Sequence, residues 1–182
     1  FSLVSTDSEE YSKIAIDAGS LFLGSRPLHL SNDLSSSEEV LKYEWLRLEQ
    51  YLSKRFEFAI LLEPTSPFRK LVDIEALYNE VVCKANFKSA FTASQLPSSL
   101  APSKIFTLSE KGYITQYGSD SPSTPLSNKV NCPANLLIKN GAGYLVSRDQ
   151  LFIEGRIVTP YSYVHIIDGL RLNIDTINDL YL

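Results

Sequence analysis

An α/β fold with a mostly parallel mixed sheet is what this sequence predicts, and three observations predict it. The first half alternates strand-like and helix-like segments, an order that implies crossovers over a parallel sheet. Residues 58–62, Phe58-Ala59-Ile60-Leu61-Leu62, are continuously apolar, as in a strand buried on both faces. The second half carries hairpin-like pieces, which predict a mixed sheet with a small extension.

Residues 1–4 read as a strand. Ser5-Thr6-Asp7-Ser8 then caps a helix, with the acidic pair Glu9-Glu10 in its first turn. This helix is expected to turn Ile14 and Ala15 inward and to stop at Gly19. Residues 21–23 form a short strand and 26–33 a loop. Ser35-Ser36-Ser37-Glu38-Glu39 opens a second helix, with Val40, Leu41, Trp45 and Leu48 at helical spacing. The apolar strand at 58–62 ends at Pro64 and Pro67, which cannot donate ladder hydrogen bonds. A helix over about 72–83 and a strand at 90–93 follow.

Residues 94–104 and 118–131 are rich in Ser, Pro, Asn and Thr and read as long loops. Loops of this length in a compact domain serve function or assembly. Between them, 104–108 and 113–116 flank a Glu-Lys-Gly turn as a hairpin, so residues 94–135 are read as an extension. Strands at 136–138 and 143–146 lie on either side of Asn140-Gly141. A short helix at 147–152, a strand at 161–167 and a last helix capped by Asp175-Thr176 complete the chain.

The 182 residues suit a single domain, 1–182, with a substantial core. Lys and Arg number 17 against 21 Asp and Glu, and no basic cluster marks a nucleic-acid partner. No run approaches the roughly 20 apolar residues that span a bilayer. Cys83 and Cys132 fit neither a metal spacing nor a disulfide framework, which predicts a reducing, cytoplasmic setting. The chain starts on Phe1 in strand-like sequence, lacks methionine and stops at Leu182 in helix-like sequence, so further segments are expected at both ends.

Leu62-Glu63-Pro64-Thr65-Ser66-Pro67-Phe68-Arg69 is the most informative stretch. Open α/β sheets bind ligands at the carboxyl ends of their strands. This loop offers hydroxyls, backbone groups and a guanidinium there, a set suited to ribose or phosphate. Three further segments coincide with it in order. They are Val4-Ser5-Thr6-Asp7-Ser8-Glu9-Glu10, then Arg26-Pro27 with Leu30-Ser31-Asn32-Asp33 and Ser35-Ser36, and finally Leu172-Asn173-Ile174-Asp175-Thr176 with Asp179. Together with Asn140-Gly141-Ala142-Gly143-Tyr144, this set resembles the acylneuraminate cytidylyltransferases over nearly the whole chain.

The resemblance implies a Rossmann-like nucleotidyltransferase sandwich with a small dimerisation extension. It implies transfer of CMP from CTP to a nonulosonic (sialic-type) acid, with release of pyrophosphate and help from a divalent metal, usually Mg2+. It also implies a homodimer. Arg26 would lie near the cytosine, with Thr65, Ser66 and Arg69 on the CTP, and Gln95, Lys104 and Asn140 near the sugar. Asp175 would be the catalytic metal ligand, with Asn173 beside it. Several of these residues have a plainer reading. Thr65 and Ser66 could only close a turn, Arg69 could be a solvated helix-start residue, and Arg26 a surface charge. Asp175 could be only a helix cap, Asp179 a first-turn acid, and Asn140-Gly141 a turn.

The chain departs from the family's pattern in three places. The family's glycine- and lysine-rich phosphate loop has no counterpart here. Glu63 stands where glutamine is usual, and Asn173 where aspartate is usual. Asn173 offers a metal only a neutral carbonyl, so Asn173→Asp is expected to be tolerated and to strengthen metal binding. Two alternatives remain open at the level of sequence: a cytidylyltransferase for an eight-carbon sugar acid, and a non-catalytic nucleotide-binding homologue.

Overall fold

A computed structural model describes residues 1–32, 34–110, 112–117, 135–169 and 173–181. The expected loop at 118–131, Cys132, and the motif residues Asp33 and Leu172 lie outside the described residues.

Four strands form the main described sheet, in the order β1-β5-β2-β6. They are β1 (Phe58–Leu61), β2 (Ser89–Gln95), β5 (Leu137–Ser147) and β6 (Tyr163–Ile167). β1, β2 and β6 share one direction, and β5 opposes both of its neighbours. The described sheet is therefore mixed as expected, but two of its three pairings are antiparallel and β2–β6 is its parallel pair, where the sequence predicts a mostly parallel sheet. The reversal of β5 follows from its connection. The chain leaves the carboxyl end of β2 and re-enters at that same end, where Gln95 pairs with Leu137. A return without a helical crossover gives an antiparallel neighbour.

Helices cover the sheet on two sides. α2 (Ser37–Leu52) opens with the expected capping box, Ser36 with Glu39. Its Trp45 is buried with Tyr144, Val146, Leu151 and Ile157. α3 (Leu71–Tyr78) buries Leu77 against Val81, Ala90 and Leu145 on the other side. Successive β5 residues thus supply the two cores alternately, as the pleat requires. α3 packs close over β5: a Cβ on Gly143 would lie 2.7 Å from Ile74 Cδ1.

Several local expectations change. β1 is half exposed rather than buried on both faces, with Phe58 at 38% and Ile60 at 37%. It lies at the edge of the four-stranded sheet, so one side of its alternation lacks a cover. In α1 (Glu9–Asp17) Ile14 is exposed and Ser12 is the buried residue. The segments at 1–4 and 21–23 meet in a single parallel bridge, Leu3 to Leu21. The two strands expected around Asn140-Gly141 are one strand, β5, with an irregularity opposite Thr92. The last helix is a 3-10 turn, Ile177–Tyr181. The hairpin in the extension forms as expected from β3 (Phe106–Leu108) and β4 (Ile114–Gln116). Among the described residues no helix is long and apolar enough to cross a membrane.

Candidate functional site

The shared direction of β1, β2 and β6 brings their carboxyl ends to one edge of the sheet. The loop after β1, the loop after β2 and the segment after β6 all leave from that edge. The first and third are tied together. Ile174 N–H donates to Thr65 O at 2.8 Å. Ser66 Oγ lies 2.7 Å from Asn173 Oδ1 and 2.9 Å from Asn140 O. The Asn173 amide nitrogen donates to Glu63 Oε2 at 3.3 Å.

The β5 irregularity sits under this knot. Phe91 pairs with Tyr144 but Ala93 pairs with Lys139, so β5 spends extra residues opposite Thr92. The Asn140 side chain fills the broken ladder. Its Oδ1 accepts from Thr92 Oγ1 at 2.6 Å and from Ala142 N at 3.3 Å, and its Nδ2 donates to Ser94 Oγ at 3.1 Å. Gly141 (φ +66°) carries the turn of the backbone. A Cβ there would lie 2.4 Å from Asn173 Oδ1, 2.6 Å from Glu63 Oε2 and 2.7 Å from Ser66 Oγ. Three oxygens, two from the loop after β1 and one from the segment after β6, converge where that Cβ would stand.

Arg69 closes the β1 loop on itself. Its Nε donates to Ser66 O at 3.0 Å, and its Nη2 donates to Glu63 O. Burial lowers the guanidinium's pKa, and the Glu63 charge opposes that shift. Burial, with the charge of Glu63 adding, pushes the Tyr144 phenol up to about 12, so Tyr144 stays neutral under the site.

Asp175 follows the knot. Its carboxylate is exposed and accepts no hydrogen bond among the described residues. Capping is done by Asp179, whose Oδ2 accepts from Thr176 N, Thr176 Oγ1 and Asp175 N. Those bonds, chiefly from Thr176, hold the Asp179 carboxyl below its ordinary range. Asp175 is thus left as a hard oxygen donor at the carboxyl edge, which suits a divalent cation. Among the described residues no three His, Cys, Asp or Glu side chains gather in one metal-binding group. A cation held here would complete its shell with substrate phosphates and water, as magnesium commonly does.

The structure therefore joins Thr65, Ser66, Arg69, Asn140, Asn173 and Asp175 in one constellation. Asn140 is 1% exposed and its amide is committed on both atoms, so it shapes the site from beneath. The Asn173 oxygen faces Ser66 rather than an open site. Arg26 lies on a separate loop, held by Thr6 O and Ser31 Oγ. Gln95 is exposed at the end of β2, and Lys104 is exposed in a short 3-10 turn after it. The sequence alone points to no role for Thr92, Ser94 or Gly141. The Asn-Gly pair was the only signal for them, and it looked like a turn.

The chain is similar to three curated relatives. It is 37% identical over 187 residues to the N-acylneuraminate cytidylyltransferase of Escherichia coli O18:K1:H7, covering 99% of this chain and 40% of that one. It is 28% identical over 174 residues to the CMP-N,N'-diacetyllegionaminic acid synthase of Legionella pneumophila, covering 95% and 71%. Its homologues are acylneuraminate-type cytidylyltransferases. The post-translational flagellin modification protein B of Campylobacter coli matches half of this chain at 33% identity, across 38% of its own length. The chain thus spans well under half the length of two of these three relatives. No protein-family model matches it. A solved CMP:2-keto-3-deoxy-manno-octonic acid synthetase complexed with CTP superimposes with a TM-score of 0.59 at 14% identity, covering 98% of this chain and 77% of that one. That likeness establishes the cytidylyltransferase fold, in agreement with the expected α/β sandwich.

Proposed function

We propose that the protein transfers CMP from CTP to a nonulosonic acid and releases pyrophosphate. The observation that carries this reading is the latch between the Pro64–Pro67 loop and residues 173–175, which leaves the Asp175 carboxylate free at the edge where α/β sheets bind ligands. The sugar's anomeric oxygen would bond to the α-phosphorus as the bond to the β-phosphate oxygen breaks. This chemistry depends on positioning and charge stabilisation more than on a covalent intermediate. A divalent cation, Mg2+ in this proposal, would supply neutralising charge on the triphosphate when held by Asp175.

The chain's own residues prepare the ground. Arg69 and Ser66 hold the loop in one shape, so Thr65 and the loop backbone meet the nucleotide without reorganising. Arg26 would donate to the cytosine carbonyl. Gln95, exposed at the end of β2, and Lys104, exposed in a later 3-10 turn, would meet the sugar, with the ammonium on its carboxylate. Asn140 supports this face from below. The reading also includes a homodimer. Leu108, Tyr113, Ile114 and Tyr117 expose an apolar hairpin surface of the kind that partners cover. It places the enzyme in the cytoplasm, with its CTP.

The test is pyrophosphate release by the full-length protein from CTP, UTP and ATP, with Mg2+ and a panel of eight- and nine-carbon keto-sugar acids. CTP with a nine-carbon acid is expected to give the fastest release. Equal rates from all three nucleotides with every acid would sink the proposal.

A further inference from the structure

We propose that Glu63 is a positioning residue matched to Asn173: its carboxylate fixes which way the Asn173 amide points, and so holds residues 173–175 on the Pro64–Pro67 loop. A carboxylate only accepts, a carbonyl only accepts, and an asparagine side chain presents a donor end and an acceptor end of nearly equal shape. Glu63 Oε2 and Ser66 Oγ lie on the two ends of the Asn173 side chain. Turned the other way, Asn173 Oδ1 would face the Glu63 carboxylate at about hydrogen-bond distance, acceptor against acceptor. The negative charge at 63 removes that arrangement.

The consequence runs down the chain of bonds. With the amide nitrogen committed to Glu63, Asn173 Oδ1 must accept from Ser66, whose single hydroxyl proton also serves Asn140 O. Ile174 N–H on Thr65 O pins the neighbouring residue. Asp175 then emerges with its carboxylate unengaged among the described residues. The packing has no slack, since the three oxygens stand within 2.7 Å of where a Gly141 Cβ would lie.

This reverses the expectation that Asn173→Asp is tolerated. That substitution would set a second carboxylate against Glu63, at a spacing now occupied by a 3.3 Å hydrogen bond. Like charges in such a site repel, and neither oxygen can donate. Restoring a donor at position 63 with Glu63→Gln should relieve the conflict, because the new amide can donate to the carboxylate at 173. Ser66 would donate as before.

The coupling stands without any assumption about activity. Only what the held segment does, through Asp175, rests on the cytidylyltransferase reading. The experiment is a double-mutant cycle in the full-length protein. Wild type, Glu63→Gln, Asn173→Asp and the double variant are melted in EDTA. Mn2+ binding in the presence of CTP is followed from the free-ion signal in electron paramagnetic resonance. Asn173→Asp alone is expected to lower the melting temperature by about 4 °C or more, Glu63→Gln by about 1–2 °C, and the double variant to recover to near wild type.

The double variant should also keep Mn2+ affinity within about threefold of wild type, whereas Glu63→Ala should lose about tenfold in kcat, with a smaller change in KM for CTP. If Asn173→Asp fails to fold, recovery in the double variant still supports the match. A double variant no more stable than Asn173→Asp, or an Asn173→Asp protein as stable as wild type in EDTA, overturns it. Asp175→Asn serves as the separate control. Wild-type Mn2+ binding in that variant would remove Asp175 as the cation ligand and leave the Glu63–Asn173 match standing.

Discussion

The two ends of the β1–β5 pair each carry a polar knot, and the two knots are built on opposite principles. At the amino end of β1, Glu49 from α2 meets a full counter-charge. Its oxygens accept from Arg148 Nε and Nη2 at 3.2 and 3.1 Å, from Trp45 Nε1 at 3.1 Å and from Phe56 N at 2.9 Å. Arg148, with these other donors, holds the Glu49 carboxyl at about 2, against an ordinary 4.5. At the carboxyl end, Glu63 receives one neutral amide and Asp175 receives no bond among the described residues. The first knot is complete within the protein. In the second, Arg69 spends its guanidinium on the backbone oxygens of Ser66 and Glu63 and the Asp175 carboxylate accepts no bond among the described residues, so an external cation or a donor-rich ligand is bound favourably there. A saturated charge pair fastens α2 to the sheet, while an unsaturated one marks a place to bind.

The sharpest way to break the second knot is to remove its space. Gly141→Ala would put a methyl carbon among three oxygens at a backbone φ that favours glycine. A loss of about 3 kcal/mol in stability is expected, with turnover abolished. A denaturant melt indistinguishable from wild type would show that the three oxygens are free to move apart.

Asp175→Asn tests the unsaturated charge itself. The change keeps shape and leaves the Asp179 cap in place, so the melting temperature should stay close to wild type. Turnover should fall about 100-fold, measured against Mg2+ concentration. Wild-type turnover across that series would reduce Asp175 to a surface acid.

Glu49→Gln tests the saturated knot. It should cost about 1 kcal/mol at pH 7 and leave turnover unchanged. The Glu49 carboxyl is lowered in the folded protein, so its contribution is present above about pH 4.5 and is lost as pH falls through about 2. Thermal melts of both proteins between pH 7 and 2 should therefore converge at the acid end. Parallel curves would mean that the Arg148 pair contributes nothing measurable.

The smallest effect on the fold is expected in the hairpin. Leu108→Ser with Tyr113→Ser should change stability by no more than about 0.5 kcal/mol, because both side chains are exposed. The same change should weaken the proposed dimer by about tenfold or more in light scattering. A wild-type protein that is monomeric at micromolar concentration would end the dimer proposal outright.

Much of the architecture was legible because it rests on local chemistry. The Ser36–Glu39 capping box, the helical spacing around Trp45 and the prolines that stop β1 each act within a few residues, and each forms as read. The Pro-Thr-Ser-Pro loop could be marked as a candidate ligand loop for the same reason, whereas the Asn-Ile-Asp segment was marked through its family resemblance. Burial was less legible. Phe58 and Ile60 belong to an apolar run, yet exposure depends on which strands and helices lie over that run, and that is a property of the sheet.

By itself the sequence determined the main helices and strands and where the proline-bounded loop begins, and its family resemblance marked two residues that depart from the usual pattern. Only the tertiary structure decided that those two residues touch. Glu63 and Asn173 are 110 positions apart, and no spacing rule links them. Their meeting depends on β5 entering the sheet backwards, on Gly141 letting the strand bulge, and on the carboxyl ends of β1 and β6 sharing an edge. Hydrogen-bond matching acts over about 3 Å, so an amide and a carboxylate become a pair only after the fold has brought them together.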